Sequence, residues 1–214
     1  MKNIIIVGAG GFGREVQWLI ERINQEEHAW NILGYVDDGI EKGTLVDGYP
    51  VLGGIDYLTK CVEKAALVCA IGSARTRKKV TKAIKEMEKF EFPNLIDPSV
   101  YMSGRIEMGE GNIICAGNIL TVDIKIGDFN IINLDCTVGH DTVVNSFVTI
   151  YPSVNISGCV TVGENTELGT GSHIIQGISI GHDTIIGAGA VVIRDIPDKC
   201  TAVGSPAKPI KVID

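Results

Sequence analysis

The 214-residue sequence has few aromatic residues, 6% of the chain, and its six cysteines include no CxxC pair or other metal-ligand spacing. A zinc ribbon or a redox-active cysteine pair is therefore not expected. Positive charge is also scarce, because 26 acidic residues outnumber 19 basic ones and leave a net charge of −7. This balance argues against a protein that binds nucleic acid or an anionic membrane surface, which would need a basic face.

Long hydrophobic runs are absent as well. The first apolar stretch, Ile4–Val7, is followed at once by glycine. It is too short for the core of a signal peptide or for a transmembrane helix. We therefore expect a cytoplasmic protein that does not insert into membranes.

What the sequence does contain falls into two halves, of which the first alternates apolar runs with amphipathic segments. The predicted strands are Ile4–Val7, Ile32–Val36 and Leu67–Ile71, and the predicted helices are Arg14–Asn24 and Thr76–Phe90. This βαβ order predicts an α/β fold, a Rossmann-like domain with a parallel sheet over residues 1–95. Two prolines, Pro93 and Pro98, mark its end.

The second half, residues 96–214, repeats every six residues. An aliphatic residue or methionine stands at each step without interruption, at Met102, Met108, Ile114, Leu120, Ile126, Ile132, Val138, Val144, Ile150, Ile156, Val162, Leu168, Ile174, Ile180, Ile186 and Val192. This period predicts a left-handed parallel β-helix in which three repeats form one triangular coil. Equivalent side chains then stack eighteen residues apart. We expect Asn118, Asn130 and Asn133 at corners with left-handed backbone angles, which asparagine tolerates.

Several segments together resemble a known family. The uninterrupted repeats, the closing AVGSPAK at 202–208, GAGGFGRE at 8–15 and YVDDG at 35–39 resemble hexapeptide-repeat acyltransferases. Within them, the match is to sugar acetyltransferases, which include bacterial amino-sugar-nucleotide N-acetyltransferases and sialic acid O-acetyltransferases. The resemblance covers essentially the whole chain. It implies a homotrimer that binds acetyl-CoA between neighbouring β-helices.

The implied activity is acetyl-CoA-dependent N-acetylation of a UDP-linked amino sugar, specifically a 4-amino-4,6-dideoxy hexose. O-acetylation of sialic acid or of another sugar hydroxyl is the alternative. A metal-dependent β-helix enzyme would need three converging histidines, but the repeat sends His140, His173 and His182 to different sides, so no metal is expected. A non-catalytic nucleotide-binding scaffold is a further alternative.

The candidate base is His140, which with Asp141 matches the family's catalytic histidine followed by aspartate. Histidine can accept a proton near neutral pH, although the sequence does not show which carboxylate orients this ring. Gly158 lies one coil later, and the resemblance implies that its N–H holds the thioester oxygen. Because Cys159 follows Gly158 rather than occupying its place, we expect no cysteine beside His140 and no acyl-enzyme.

A second Gly-His-Asp contains His182, forty-two residues after His140. Forty-two residues are seven repeats, and seven is not a multiple of three. We therefore predict that His182 lies on another side of the β-helix and is not the base.

The N-terminal glycines form a GxGxxG between a strand and a helix, a pattern that brings backbone close to a phosphate. Alone it suggests NAD, but no residues for hydride transfer follow. The resemblance implies instead that this domain holds the nucleotide of a sugar substrate, while an empty domain would suit the sialic acid branch. The implied substrate-binding residues are Gly8, Gly10, Gly11, Gly13, Asp37, Asp38, Gly72, Ser73 and Arg77. The aspartates would contact base or ribose, and the last three residues the phosphates. Gly158, Gly204 and Lys208 would contact CoA.

Overall fold

The computed structural model describes residues 1–61 and 64–212. Its N-terminal elements are β1 (Lys2–Val7), α1 (Gly11–Glu27), β2 (Trp30–Val36), β3 (Leu45–Val46), β4 (Tyr49–Gly53), α2 (Ile55–Lys60), β5 (Ala66–Cys69) and α3 (Ala74–Lys85). Their described strands form one sheet in the order β3-β4-β2-β1-β5, with β4, β2, β1 and β5 parallel. The predicted Rossmann-like fold is thereby confirmed.

Each predicted N-terminal strand and helix is present with shifted ends, and α3 stops at Lys85 rather than Phe90. The elements missed from the sequence are β3, β4 and α2. Strands β3 and β4 form an antiparallel hairpin joined by Asp47 and Gly48, whose φ angles are 43° and 90°. Asp-Gly is a preferred pair for such a tight turn, so the signal was present in the sequence.

The second half is built from short strands separated by corners. They are β6 (Leu95–Ile96), β7 (Tyr101–Met102), β8 (Glu107–Met108), β9 (Ile113–Ile114), β10 (Ile119–Leu120), β11 (Lys125–Ile126), β12 (Ile131–Ile132), β13 (Thr137–Val138), β14 (Val143–Val144), β15 (Thr149–Ile150), β16 (Asn155–Ile156), β17 (Thr161–Val162), β18 (Glu167–Leu168), β19 (His173–Ile174), β20 (Ser179–Ile180), β21 (Ile185–Ile186), β22 (Val191–Val192), β23 (Cys200–Val203) and β24 (Lys208–Val212). The predicted second domain ends at 214, and its last two residues lie outside the described residues.

The described strands form three parallel faces. The first face contains β6, β9, β12, β15, β18, β21 and β23, to which β24 adds antiparallel; the second contains β7, β10, β13, β16, β19 and β22; the third contains β8, β11, β14, β17 and β20. Paired residues lie eighteen apart, as Leu120, Val138 and Ile156 show, and these side chains are buried inside. The predicted β-helix, its period and its inward aliphatic column are confirmed.

The prediction for the corner asparagines is wrong. The left-handed backbone angle belongs to the residue before Asn118 and before Asn130, namely Gly117 with φ 78° and Phe129 with φ 54°. Asn130 itself is buried, and its side-chain oxygen accepts a hydrogen bond from Val148 N–H at 2.7 Å. Asn118 binds Cys136 N–H in the same way at 2.9 Å. These amides face inward and join successive coils, because a buried corner N–H needs an acceptor.

The N-terminal sheet and helices pack on the first face. Outward-facing Ile113 and Ile131 join the apolar core that surrounds α1, and Arg22 of α1 forms an ion pair with Asp97 at 2.5 Å. Leu95–Ile96 pairs with β9 at the start of this face. The division of the chain at residues 95 and 96 stays a prediction.

Within the described residues, no helix combines the length and apolar character required to cross a bilayer.

Candidate active site

His140 lies at the corner where the chain leaves the second face and enters the third. It follows β13, and its side chain is exposed. The next residue, Asp141, has a left-handed backbone with φ 57°, and its carboxylate Oδ2 lies 2.7 Å from His140 Nδ1. The carboxylate beside the ring, which the sequence left open, is therefore Asp141. When the ring carries its proton on Nδ1, it donates a hydrogen bond to Asp141, and Nε2 is then able to accept a proton.

Gly158 lies directly under the His140 ring. A Cβ placed on Gly158 would come within 2.5 Å of His140 Nε2, so only glycine allows the ring to sit there. The following residue fixes the two coils together, because Cys159 N–H donates to the His140 carbonyl oxygen at 2.7 Å. Gly158 is buried, and its N–H has no hydrogen-bond partner among the described residues. The pairing of His140 with position 158 follows the predicted period.

The expectation that no cysteine lies beside His140 is wrong. Cys159 stands one coil after Asp141, and its sulfur, an Asp141 carboxylate oxygen and a His140 ring nitrogen all lie within 4.8 Å of one another. The thiol is exposed. The six-residue repeat aligned Gly158 with His140. The prediction did not consider the next residue of each coil, Asp141 and Cys159, whose side chains project outward beside the ring.

His182, in the second Gly-His-Asp, is held differently. It follows β20 on the third face, so the predicted separation from His140 is confirmed. Its Nδ1 lies 2.8 Å from Asp183 Oδ2, and its Nε2 lies 3.1 Å from Asp198 Oδ2. Both ring nitrogens thus face carboxylates, and neither is open to a substrate.

The predicted glycine loop divides into packing and open positions. Gly8 has φ 103°, and a Cβ on Gly13 would lie 2.1 Å from the Gly8 carbonyl oxygen, so these two glycines permit close packing of α1 on the sheet. Gly10 and Gly11 face open space. Helix α1 begins at Gly11, and no side chain caps it. Its first N–H groups can therefore receive an anion.

The two aspartates after β2 already bind backbone. Asp37 accepts hydrogen bonds from Ala9 N–H and Gly39 N–H, both at 2.8 Å, and so ties the end of β2 to the glycine loop. Asp38 accepts one from Ile55 N–H at 2.8 Å. Both carboxylates retain further lone pairs for a ligand.

Arg77 is not available to phosphates, contrary to the prediction. It is 1% exposed, and its guanidinium donates to the carbonyl oxygens of Phe129 at 2.8 Å and Ile71 at 2.7 Å, with further bonds to the β-helix. Burial lowers the pKa of Arg77 to about 10. The guanidinium satisfies backbone acceptors where α3 meets the first face, so Arg77 joins the two halves of the chain.

The remaining predicted residues lie at two other places. Gly72 and Ser73 precede α3; Ser73 caps that helix through its hydroxyl, which accepts from Thr76 N–H at 3.5 Å. Gly204, with φ 100°, and exposed Lys208 belong to the hairpin of β23 and β24 at the far end of the β-helix. The structure brings His140, Asp141 and Gly158 together and leaves these residues apart from them.

A β-helix of six-residue repeats with a histidine at one corner, joined to a Rossmann-like domain, defines a hexapeptide-repeat acyltransferase. The PglD N-terminal domain family matches residues 3–84, and the bacterial transferase hexapeptide family, with six repeats, matches residues 159–194. GDP-perosamine N-acetyltransferase of Escherichia coli O157:H7 is 31% identical over 213 residues, which covers 96% of this chain and 95% of that protein. The chain belongs to this family of sugar acetyltransferases.

Solved structures agree over the whole length. A histidine-to-asparagine variant of perosamine N-acetyltransferase from Caulobacter crescentus, in complex with CoA and GDP-perosamine, has a TM-score of 0.92 and 33% identity, and the match covers 99% of this chain and 98% of that one. The acetyltransferase domain of PglB from Neisseria gonorrhoeae, in complex with acetyl coenzyme A, has a TM-score of 0.90 and 31% identity, with 98% and 99% covered.

Proposed function

We propose that this protein transfers the acetyl group of acetyl-CoA to the amine of a nucleotide-linked amino sugar. The observation that carries the proposal is the arrangement of His140, Asp141 and Gly158, which pairs a proton acceptor with an unused N–H donor. Whole-length similarity to GDP-perosamine N-acetyltransferase supports the reaction class.

The chemistry follows from those three residues. His140 Nε2 accepts a proton from the sugar amine as the amine nitrogen attacks the thioester carbonyl carbon. Gly158 N–H donates to the oxygen that becomes negative in the tetrahedral intermediate. The intermediate collapses by breaking the carbon–sulfur bond, and the departing CoA sulfur takes the proton from His140. Asp141 stabilises the ring while it is positively charged, because its carboxylate lies 2.7 Å from Nδ1.

For the acceptor, we propose a 4-amino-4,6-dideoxy hexose on a nucleoside diphosphate. The relatives that name an acceptor name GDP-perosamine, which favours a GDP-linked sugar ahead of the UDP-linked sugar predicted from the sequence. The uncapped start of α1 at Gly11 and the open space at Gly10 suit the diphosphate. Asp37 and Asp38 would then lie toward the base or ribose.

We also propose that the active form is a homotrimer. The N-terminal sheet and helices pack on the first face, whereas His140 lies at the edge between the second and third faces. That edge is the one edge of the prism that does not border the first face. A sugar nucleotide held at Gly10 and Gly11 would therefore reach the His140 of a neighbouring subunit rather than of its own.

The test is CoA release by the purified protein with acetyl-CoA and three acceptors, namely the GDP-linked and UDP-linked 4-amino-4,6-dideoxy hexoses and a free sialic acid. A reaction without acceptor is the control. We expect release above the no-acceptor rate with a nucleotide-linked amino sugar, and an acetamide in the product by mass spectrometry. Release with sialic acid alone would overturn N-acetylation and favour an O-acetyltransferase. Release with none of them would overturn the proposal.

A further inference from the structure

We propose that His140, Asp141 and Cys159 form a binding site for Zn²⁺ and that zinc bound there inhibits the enzyme. The three side chains supply an imidazole nitrogen, a carboxylate oxygen and a thiol, which are the groups that zinc prefers in proteins. Inhibition rests on the proposed role of His140 as the base, whereas binding of the metal does not.

The ligand atoms are already close. They lie within 4.8 Å of one another, and four-coordinate zinc with bonds of about 2.0–2.3 Å holds its ligands roughly 3.5 Å apart. No two ligand atoms therefore need to approach by more than about 1.3 Å, on the same bond lengths. All three are exposed and can make that adjustment by rotating side-chain bonds.

The backbone beneath the site is fixed. Asp141 and Cys159 occupy the same place on consecutive coils, with φ angles of 57° and 58°. Their side chains therefore leave the corner in the same direction, one strand spacing of about 4.8 Å apart. The bond of 2.7 Å from Cys159 N–H to the His140 carbonyl oxygen holds the third ligand against them.

The other described histidine corner and the other cysteines do not offer this combination. His182 faces two carboxylates but no thiol. Cys69, Cys115, Cys136 and Cys200 are buried and turned away from solvent. Zinc binds thiolate ligands, whereas magnesium and calcium bind oxygen ligands. The thiol that favours zinc thus lies beside the proposed base.

Zinc at this site would act as an inhibitor rather than as a cofactor. Binding replaces the proton of the Cys159 thiol and takes a lone pair from the His140 ring, or takes the Asp141 oxygen that orients it. In each case the ring no longer accepts the proton of a sugar amine. Three protein ligands leave the fourth position to water.

Binding is tested directly with Co²⁺, which replaces zinc and gives an ultraviolet charge-transfer band when a thiolate binds it. We expect this band in the wild-type protein and its loss in Cys159→Ser. Serine suits the position because Ser153 holds the equivalent left-handed corner with φ 59°. Cys61→Ser is the matched control and should retain the band. A wild-type protein without the band, or a Cys159→Ser protein that keeps it, would overturn the site.

Inhibition is tested by titrating Zn²⁺ into the acetyl transfer assay and comparing each variant with its own zinc-free rate. Since loss of even an outer-shell partner lowers metal affinity about 10–100-fold, Cys159→Ser should need at least about tenfold more zinc. A chelator should restore the wild-type rate. Equal zinc sensitivity in both proteins would overturn the inhibitory site. The cobalt band in a protein that acetylates no acceptor would instead sustain the site and overturn the proposed function.

Discussion

Two tripeptides of identical sequence, Gly139–Asp141 and Gly181–Asp183, place a histidine at a corner of the same β-helix. In both, Nδ1 faces the carboxylate of the next residue, at 2.7 Å in one and 2.8 Å in the other. They differ at Nε2, which lies over Gly158 in the first and 3.1 Å from the Asp198 carboxylate in the second. The residue that lies next to Nε2 therefore decides whether the ring is open to a substrate, and the Gly-His-Asp sequence does not.

The largest expected difference is in catalysis. His140→Ala should lower kcat by about 10²–10⁴-fold, the range over which a positioned base accelerates proton transfer. His182→Ala removes a ring that is closed on both nitrogens and should leave kcat near that of the wild type. Steady-state CoA release with the best acceptor measures both. Similar losses in the two variants would remove the distinction between the corners.

The next effect concerns the surface under the His140 ring. Gly158→Ala puts a methyl group where the ring now lies and should reduce kcat about 10²-fold, as a displacement of about 1 Å in a catalytic group can. Gly104 stands in the same corner column, three coils earlier, with open space where a Cβ would lie. Gly104→Ala is the matched control and should retain activity. A Gly158→Ala enzyme as active as this control would show that the ring position is not required.

The repeat made one half of the molecule far more predictable than the other. A period of six residues fixes which side chains point inward, and it placed Gly158 beside His140 without any structural information. The same period did not show Cys159 beside Asp141, because that contact depends on how a left-handed corner projects its side chain. The predictions for Asn118 and Asn130 failed by one residue, because the left-handed backbone angle falls on Gly117 and Phe129.

The N-terminal half depends on contacts that no local pattern records. Arg77 follows a strand and a Gly-Ser pair, which is where a phosphate ligand stands in many α/β proteins. The structure instead buries it against the carbonyl oxygens of Phe129 and Phe147, more than fifty residues away. Packing between the two halves of the chain decided its role, and the sequence offered no sign of that packing.

The two histidines should also differ in what they contribute to folding. His182→Ala leaves Asp183 and Asp198 without their shared partner, so its free energy of unfolding should fall by up to about 1 kcal/mol, as expected for half-exposed polar contacts. For a chain of this size that is a decrease in Tm of about 2–4 °C. His140→Ala breaks one such contact and should shift Tm less. Thermal unfolding at neutral pH compares them, and a larger shift for His140→Ala would contradict the assignment.

The smallest effect is the acid dependence of the His182 corner. Burial raises the pKa of Asp183, but hydrogen bonds from Asn165 and His182, with the charges of His182 and Lys78, more than offset this and bring it below its ordinary value. Because the pKa of Asp183 is lower in the folded protein than in the unfolded chain, its carboxylate stabilises the fold at pH values above the unfolded pKa of about 3.9. That stabilisation is lost as the pH falls through the folded pKa.

Asp183→Asn should therefore be less stable than the wild type at neutral pH, by less than about 1 kcal/mol because the carboxylate is partly exposed. The difference should begin to shrink as the pH falls below about 4, where the carboxylate of the unfolded wild-type chain takes up a proton, and it should vanish only below the lower pKa of the folded protein. Urea unfolding of both proteins from pH 7 to pH 3 measures this difference. If it stayed constant over that range, the carboxylate's charge would not be what His182 stabilises.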